Sequence, residues 1–388
     1  MIAKPSVIYV DNAATSFPKP PEVVDAVCRI LQTTSLSPGR SAHGFSLECS
    51  RQIFDTRELV ADLFNCPDSG RIAFTCNVTE ALNVGIFGLF GKIFHTGDHV
   101  ITTCLEHNSV MRPLRYLEKT ADIKISQLPI DGDGQVMVSE LARLRRNNTK
   151  LIVINHVSNV TGAVVDLESI GKDKGDAFFM VDGAQSAGVF PIDVERMNID
   201  MLAFTGHKSL LGPTGTGGFF LREGVMPRPM KMGGTGSNSE TEIQPDFMPD
   251  CYESGTPNTL GIAGLGAGIA FIGKTGMAAI REHEQHLCRL FLDGVSQLKR
   301  ITVYGPGIGK ERAAVVSLRV KGKSESEVAH ILDREFAIMV RAGLHCAPAS
   351  HRAIGTYPAG TVRFSFGYFN TETDVATCLT ALDMLVKK

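Results

Sequence analysis

Two residues of this sequence have the types and positions that covalent cofactor chemistry needs. Lys208 lies in the glycine-flanked segment TGHKSLLGPTG, directly after the predicted strand Met201–Thr205. Burial at a strand end disfavours the charged form of a lysine, and the uncharged amine can form a Schiff base with an aldehyde. Asp182 ends the apolar predicted strand Phe178–Asp182, where a buried carboxylate needs a cationic partner such as a protonated pyridine nitrogen. The pair indicates a site for an aldehyde cofactor with a pyridine ring; the alternatives are a surface lysine and a helix-capping aspartate.

Two further residues that follow predicted strands could bind the same cofactor. Thr79 lies at a predicted helix start, where backbone amides and the helix dipole attract phosphate, although a helix-capping threonine has the same position. His107 follows the predicted strand Val100–Cys104, a position that favours stacking on a ring over the commoner structural histidine. Because ligands of open α/β sheets bind at the carboxyl ends of the strands, we expect these residues to lie close to Lys208 and Asp182.

Predicted strands and helices alternate over most of the chain, which favours an α/β fold with a mainly parallel sheet covered on both faces. We predict that residues 17–275 form this large domain and that residues 276–388 form a smaller C-terminal α+β domain, joined by residues 1–16. The predicted strands of the large domain are Arg71–Thr75, Val100–Cys104, Leu151–Asn155, Phe178–Asp182, Met201–Thr205 and Gly218–Leu221. Those of the C-terminal domain are Ile301–Tyr304, Ala314–Val320, Ile338–Arg341 and Thr361–Phe366.

Composition excludes several classes of protein. The 388 residues include 39 Lys and Arg against 41 Asp and Glu, and the net charge of −2 gives no basic surplus for nucleic acid. The N-terminus lacks a signal-peptide pattern, and the longest uncharged stretch, Thr259–Gly273, is shorter than the roughly 18 residues of a membrane span. Nine cysteines without a C-x-x-C pair predict free thiols in a reducing cytoplasm. Cys28, Cys104, Cys288 and Cys378 are predicted to be small core residues.

Two apparent ligand motifs are predicted to be structural. Residues 268–275 match the phosphate-loop pattern G-x-x-x-x-G-K-[ST], but the four central residues are Ile-Ala-Phe-Ile. A working phosphate loop follows a strand as an open turn, whereas this apolar segment continues a helical pattern and predicts a buried helix. His283 and His286 fall one residue short of H-E-x-x-H and are expected on a solvated helix face, so no metal site is predicted.

Several motifs resemble those of the class V aminotransferase family: VDNAATS at 10–16, EHNS at 106–109, SNVTG at 158–162, VDGAQ at 181–185, TGHK at 205–208 and ESGTPNT at 253–259. Within the family, RAGLHCAP at 341–348 resembles the nucleophile segment of the cysteine desulfurase and selenocysteine lyase branch. The resemblance extends from about residue 9 to residue 371 and implies a type I fold that binds pyridoxal 5'-phosphate (PLP). Two segments differ from the family pattern: Asn77–Glu80, which has lost one hydroxyl, and residues 349–360.

The resemblance implies which residues bind the cofactor. Lys208 would carry it as a Schiff base, Asp182 would pair with the pyridine nitrogen, and His107 would stack on the ring. Gln185 would reach the phenolic oxygen, and Asn159 would lie against the cofactor and the substrate. The implied phosphate ligands are the amide of Val78, Thr79, Thr205, His207 and Thr256 of a second subunit.

The resemblance also implies how the substrate is bound and attacked. Asn159 and Arg363 would hold its carboxylate, and Cys346 would attack its sulfur, with Arg341 near this nucleophile. Arg341 and His345 flank Cys346, and positive charge nearby stabilises a thiolate. The catalytic residues implied are Lys208, His107 and Cys346.

The function implied is that of a PLP-dependent cysteine desulfurase, which converts L-cysteine to L-alanine and leaves a persulfide on Cys346 for an acceptor that the sequence does not identify. The alternatives are a selenocysteine lyase, another class V reaction such as that of an aminotransferase or epimerase, and a scaffold protein without turnover. The intact lysine, aspartate and arginine argue against a scaffold. We expect a cytoplasmic homodimer that binds neither nucleic acid nor membranes.

Overall fold

The structure, a computed structural model, describes residues 7–33, 44–237 and 240–387. Its strands are β1 (Ile8–Tyr9), β2 (Ile72–Thr75), β3 (His99–Thr103), β4 (Lys124–Leu128), β5 (Thr149–Asn155), β6 (Phe178–Asp182), β7 (Met201–Thr205), β8 (Gly217–Leu221), β9 (Ile301–Tyr304), β10 (Val315–Val320), β11 (Ile338–Met339), β12 (Arg341–Gly343) and β13 (Thr361–Ser365). Its α-helices are α1 (Pro21–Thr33), α2 (Gly44–Leu63), α3 (Val78–Leu89), α4 (Asn108–Ala121), α5 (Leu141–Leu144), α6 (Leu167–Asp173), α7 (Thr259–Thr275), α8 (Met277–Ser296), α9 (Glu325–Phe336), α10 (Pro348–Ala353) and α11 (Glu372–Lys387).

Seven strands form the central sheet, in the order β2-β8-β7-β6-β5-β3-β4. The pairs β7–β6, β6–β5, β5–β3 and β3–β4 are parallel, whereas β8 runs antiparallel to both of its neighbours. Alternate residues of β5 belong to two different apolar cores, with Ile152 and Ile154 in one and Leu151 and Val153 in the other. Both faces of the sheet are therefore covered, which confirms the predicted α/β fold with a mainly parallel sheet.

A second sheet lies in the C-terminal part of the chain. Strands β12, β13, β10 and β9 form an antiparallel sheet, and residues of α8, α9 and α11 pack with it in a third apolar core. Strand β1 pairs in parallel with β11 through Ile8–Ile338 and Tyr9–Met339. The division of the chain at residues 275 and 276, with residues 1–16 assigned to the C-terminal domain, stays a prediction.

Two strands and one predicted core residue differ between the prediction and the structure. Strand β4 was not predicted, and the single strand predicted at Ile338–Arg341 is divided between β11 and β12. Cys28 is exposed on α1, so its prediction as a core residue is wrong, whereas Cys288 and Cys378 are buried.

The apparent phosphate loop lies inside α7, as the apolar pattern predicts. A Cβ atom at Gly268 would lie 2.4 Å from the carbonyl oxygen of Leu210, so this glycine serves close packing of the helix. His283 Nε2 lies 2.9 Å from the carbonyl oxygen of Asn370, and His286 Nε2 lies 2.8 Å from Glu372. Among the described residues, no group of three metal-ligating side chains is present.

No single helix in the described ranges is long and apolar enough to cross a membrane. Only when taken together do helices α7 and α8 meet the combined requirement of length and apolar character, and they are bent by 83° relative to each other.

Candidate active site

The carboxyl ends of β5, β6 and β7 lie side by side and bring the cofactor candidates together. Asn155 pairs with Asp182, which pairs in turn with Ala203, and Lys208 follows β7 by three residues. Asp182 is buried, and its Oδ1 accepts a hydrogen bond of 2.9 Å from the amide of Ala184. Burial raises the pKa of Asp182, opposed by the Ala184 amide and by the charge of Lys208. The carboxylate therefore lacks a bonded cation of its own and can accept one from a ligand.

The amine of Lys208 is easier to deprotonate than that of an ordinary lysine. Burial, with a smaller contribution from the charges of Arg363 and Arg341, lowers the pKa of Lys208 to about 8 against the opposing effect of Asp182 and Cys346. At neutral pH roughly a tenth of such an amine is uncharged, which allows it to act as a nucleophile or a base. These charges also show that both arginines and Cys346 lie close enough to act on Lys208.

His107 is neutral and held in one orientation. It precedes α4 as the N-cap residue, and its Nδ1 accepts a hydrogen bond of 3.0 Å from the amide of Ser109. Burial lowers the pKa of His107 to about 4, and the charges of Lys208 and Arg112 lower it further. The ring proton is therefore on Nε2. Ser109 Oγ lies 2.8 Å from Thr79 Oγ1, which joins the N-terminal ends of α3 and α4.

The N-terminus of α3 lies where the sequence predicts a phosphate site. Asn77 is its N-cap, and the Asn77 side chain accepts a hydrogen bond of 3.0 Å from the amide of Glu80. Although residues Asn77–Glu80 differ from the family pattern, the helix that starts there is still capped. Its first residues are the buried Val78 and the exposed Thr79. The amides at such a helix start favour a phosphate.

Two more predicted phosphate ligands follow one another on β7 and the segment after it. Thr205 is buried, and its Oγ1 donates to the carbonyl oxygen of Thr216 at 3.4 Å. His207 Nδ1 is buried without a hydrogen-bond partner. Burial lowers the pKa of His207 to about 4, helped by the charges of Lys208 and Lys19, so the neutral ring can either donate or accept.

Arg363 is a buried cation in the middle of the site. Its Nη2 forms an ion pair of 2.6 Å with Asp11 Oδ1, and its Nη1 donates to the carbonyl oxygen of Asn159 at 3.0 Å. Its Nε is buried without a partner, as is Oδ1 of Asn159. A ligand that carries a carboxylate can therefore bind to a guanidinium that still has an unsatisfied donor.

The segment that carries Cys346 is a strained loop between β12 and α10. His345 and Cys346 have φ angles of +47° and +57°, which non-glycine residues rarely adopt. Two contacts hold the loop: Asn159 Nδ2 donates to the carbonyl oxygen of His345 at 2.8 Å, and the amide of Asn108 donates to that of Cys346 at 2.8 Å. Cys346 itself is exposed. The loop thus presents the thiol while its backbone is fixed.

His345 does not supply the positive charge expected beside Cys346. Burial lowers its pKa to about 2, and the charge of Arg363 lowers it further. Its Nε2 lies 3.1 Å from Thr361 Oγ1, which donates to Ser317 Oγ at 3.1 Å, so His345 anchors the loop as a neutral ring. The expectation of two flanking cations is therefore wrong for His345 and leaves Arg341, which is exposed.

Gln185 and Thr256 lie at the margins of the site. Gln185 is half-buried, and its Nε2 donates to the carbonyl oxygen of Ala13 at 2.9 Å. Thr256 is exposed and lines a surface cavity of about 360 Å³ together with Ser50 and Ile53 of α2. Its place at the surface leaves it accessible to a second subunit.

Sequence reasoning missed two acidic residues of the site. Asp11, the partner of Arg363, lies within the VDNAATS motif, and Glu106 lies within EHNS. Glu106 is buried, and its Oε1 accepts a hydrogen bond of 3.0 Å from the amide of Asn155 and one of 2.8 Å from Thr103 Oγ1. Burial raises the pKa of Glu106 to about 8, and the charge of Asp182 raises it further. Glu106 is therefore largely uncharged at neutral pH and joins the ends of β3 and β5.

Comparison with known proteins defines the class to which this fold and site belong. The chain matches the aminotransferase class-V family over residues 8–377, and it belongs to that family. Within the family its relatives are cysteine desulfurases. It is 36% identical to a probable cysteine desulfurase of Pyrococcus abyssi over 98% of this chain and 94% of that protein. It is 31% identical to a cysteine desulfurase of Yersinia pseudotuberculosis, over 98% and 93% of the two chains.

Solved structures agree with these relatives. The apo structure of a cysteine desulfurase from Thermococcus onnurineus has a TM-score of 0.91 and 35% identity, covering 98% of this chain and 95% of that one. The cysteine desulfurase CsdA of Escherichia coli, with an S-sulfonic acid, has a TM-score of 0.87 and 27% identity at the same coverage. The fold is therefore the one on which solved cysteine desulfurases are built.

Proposed function

We propose that this protein is a PLP-dependent cysteine desulfurase, which takes sulfur from L-cysteine, releases L-alanine and leaves a persulfide on Cys346. One observation carries the proposal: Asn159 contacts both the buried Arg363 and the strained loop that carries the exposed Cys346, and the charges of Arg363 and Cys346 both act on the amine of Lys208. Family membership and desulfurase relatives over nearly the whole chain support it.

The residues present fit PLP. Asp182 is a buried carboxylate without a bonded side-chain cation, and a protonated pyridine nitrogen would be its partner. His207 Nδ1 and Asn159 Oδ1 are buried polar atoms without hydrogen-bond partners, which a polar ligand would satisfy. The capped N-terminus of α3 suits the phosphate. When bound, the cofactor supplies an electron sink for negative charge at the substrate Cα.

The protein's own residues then bind the substrate and move its proton. Arg363 binds the substrate carboxylate, because its guanidinium is buried, permanently charged and only partly satisfied. Lys208 Nζ takes the proton from Cα, since the lowered pKa of about 8 keeps part of the amine in its basic form. His107 is neutral with its proton on Nε2, so it can donate a hydrogen bond from Nε2 to the bound ligand.

Sulfur transfer falls to Cys346. Its thiolate attacks the substrate sulfur, so that an S–S bond forms and the C–S bond breaks. The electron pair of the C–S bond stays with Cβ, which gains a proton; Lys208 returns a proton to Cα, and the product leaves as L-alanine. The exposed Arg341 and the half-buried Lys208 place positive charge near Cys346.

A product assay tests this function. The purified, PLP-loaded protein is given L-cysteine or L-selenocysteine with dithiothreitol, and alanine, sulfide and selenide are measured. We expect equal amounts of alanine and sulfide from L-cysteine. Alanine and selenide from selenocysteine alone would favour a selenocysteine lyase. An oxo acid or a racemised amino acid without sulfide would place the protein among the other class V enzymes.

The active unit is proposed to be a homodimer in which Thr256 of the partner subunit completes the phosphate site. Exposed large apolar residues support this proposal, because they recur on α1, on α2 and along 230–247: Val24, Leu31, Phe54, Met230, Met232, Ile243 and Phe247. Exposed apolar side chains of this size can be buried where two subunits meet. The cavity that Thr256 lines lies between α2 and residues 234–237, next to this apolar surface.

A charge placed in the apolar surface should separate the subunits. Phe54 is 56% exposed, and we expect Phe54→Glu to sediment as a monomer at low micromolar concentration and to lose PLP more readily. Met384→Glu is the matched control, since Met384 is 47% exposed on α11 and should leave the dimer intact. A wild-type monomer with full activity would refute the proposal.

The nine cysteines are also compatible with a reducing compartment. None of them is in a disulfide, and we propose the cytoplasm as the site of action.

A further inference from the structure

A groove of about 470 Å³ lies beside the loop that carries Cys346. Helix α4 and helix α10 form its walls, which include Asn108, Arg112, Arg115, Ala349 and Arg352. None of the residues assigned above to the cofactor or the substrate lines this groove. Its size and open surface exceed what L-cysteine requires, so the groove is a separate feature next to the active site.

The groove adjoins the loop that carries Cys346 through a backbone hydrogen bond and through the start of α10. The amide of Asn108, on one wall, donates to the carbonyl oxygen of Cys346 at 2.8 Å, and α10 begins at Pro348, two residues after Cys346. Cys346 is exposed. A molecule seated in the groove therefore lies beside the loop that presents the exposed Cys346.

The charge of the groove is strongly positive. Arg112, Arg115 and Arg352 are all exposed, and of the described residues that line the groove none is acidic. Arg115 forms an ion pair with Glu118, a residue that does not line the groove, with 2.7 Å between its Nη1 and the carboxylate oxygen. The guanidinium of Arg352 lies 4.4 Å from the ring centre of Tyr357, a contact that leaves its charge in place. Because the whole chain has a net charge of −2, this positive charge is a local feature.

We propose that this arginine groove docks an acidic segment of the protein that accepts sulfur from Cys346. The inference rests on the proposed function and names the chemistry of its partner. Exposed guanidinium groups bind carboxylates through paired hydrogen bonds, and a positive groove next to a reactive sulfur speeds the encounter with an acidic thiol protein. Aspartate or glutamate residues close to the acceptor cysteine would bring its thiolate to the terminal sulfur.

The transfer step is balanced without an external oxidant. The acceptor thiolate attacks the terminal sulfur of the Cys346 persulfide, so that a new S–S bond forms on the acceptor while the bond to Cys346 Sγ breaks. Cys346 leaves as a thiolate, and the proton of the acceptor thiol is released to solvent or to that thiolate. The acceptor then carries the persulfide.

The test uses two synthetic peptides as probes. One has a single cysteine among six aspartates, and its twin has six asparagines instead. The PLP-loaded protein is charged with ³⁵S-labelled L-cysteine, excess substrate is removed, and transfer of label to each peptide is timed. We expect the acidic peptide to accept sulfur at least about tenfold faster at low salt. The difference in rate between the two peptides should disappear at about 0.5 M NaCl, because salt screens the attraction between the arginines and the aspartates.

Variants locate the effect in the groove. Arg115→Gln combined with Arg352→Gln should slow the acidic peptide to the rate of its twin, while the alanine released in the loading turnover stays unchanged. Arg334→Gln, which removes an exposed arginine of α9, is the control and should change neither. Equal rates for the two peptides, or an undiminished preference in the double variant, would overturn the docking proposal. Absence of alanine and label in the loading turnover would instead overturn the proposed function.

Discussion

Cys346→Ala is expected to abolish sulfur removal from L-cysteine while leaving cofactor and substrate binding largely intact. In the proposed mechanism, binding depends on Arg363, Asp182 and Lys208, and only the removal of sulfur needs a thiolate near the departing atom. Because the variant loses a covalent route and keeps the shared binding energy, alanine production should fall by orders of magnitude. The cofactor absorbance, and its shift when L-cysteine is added, should persist. Stopped-flow spectra and a timed alanine assay measure the two effects separately.

The chain offers a matched control for this substitution. Cys76 is another exposed cysteine, and Cys76→Ala should keep the wild-type rate. Activity of Cys346→Ala towards L-selenocysteine alone would favour a lyase, because selenium leaves more readily without a protein nucleophile. An unchanged rate with L-cysteine would make Cys346 a structural thiol and would favour an aminotransferase or epimerase.

Lys208→Ala is expected to remove both the covalent attachment of the cofactor and the base that takes the Cα proton. Borohydride treatment of the wild-type protein should fix the cofactor to the peptide that contains Lys208, and peptide mass mapping should find none there in the variant. Turnover should fall by orders of magnitude, because one amine has both functions. Burial lowers the pKa of Lys208 to about 8, so the fraction of free amine in the unliganded protein should rise between pH 7 and pH 9.

Lys19 is the control for Lys208. Burial also lowers the pKa of Lys19 to about 8, but its Nζ donates to the carbonyl oxygen of His207 at 2.8 Å and is not directed at Asp182. Lys19→Ala should therefore retain cofactor that borohydride can fix. Fixation that persists in Lys208→Ala would assign the attachment to another lysine.

Those parts of the fold that depend on local pattern could be predicted from the sequence. Strands β6 and β7 are apolar runs that end in polar residues, and their predicted bounds equal the observed ones. Strand β4 escaped prediction because it lies at the edge of the sheet, where KISQL keeps one buried residue and shows no apolar run. The predicted strand at Ile338–Arg341 spans two observed strands that belong to different sheets, a change that the apolar pattern does not mark.

Some site residues could likewise be recognised from the sequence, and others could not. Lys208 and Asp182 have types and positions that indicate their chemistry, whereas Asp11 and Glu106 acquire theirs from partners far away in sequence. Asp11 contacts Arg363 across more than three hundred residues, and Glu106 is uncharged only because the ends of β3 and β5 bury it. For His345 the sequence suggests the wrong charge. Its position next to Cys346 suggests a cation, but burial lowers its pKa and keeps the ring neutral.

In the ion pair between Arg363 and Asp11, the carboxylate of Asp11 occupies the guanidinium that the substrate carboxylate is proposed to bind. Asp11 presents to the guanidinium the carboxylate that an amino acid would bring, from a segment fixed to β13 by Asn12 and by the amide of Ala13. If Arg363 binds the substrate as proposed, binding exchanges one carboxylate for another or shares the guanidinium between two, and it never neutralises a bare buried cation. Arg363 therefore keeps a carboxylate partner before the substrate enters and after the product leaves. The empty site thus avoids the several kcal/mol that an unpaired buried charge would cost.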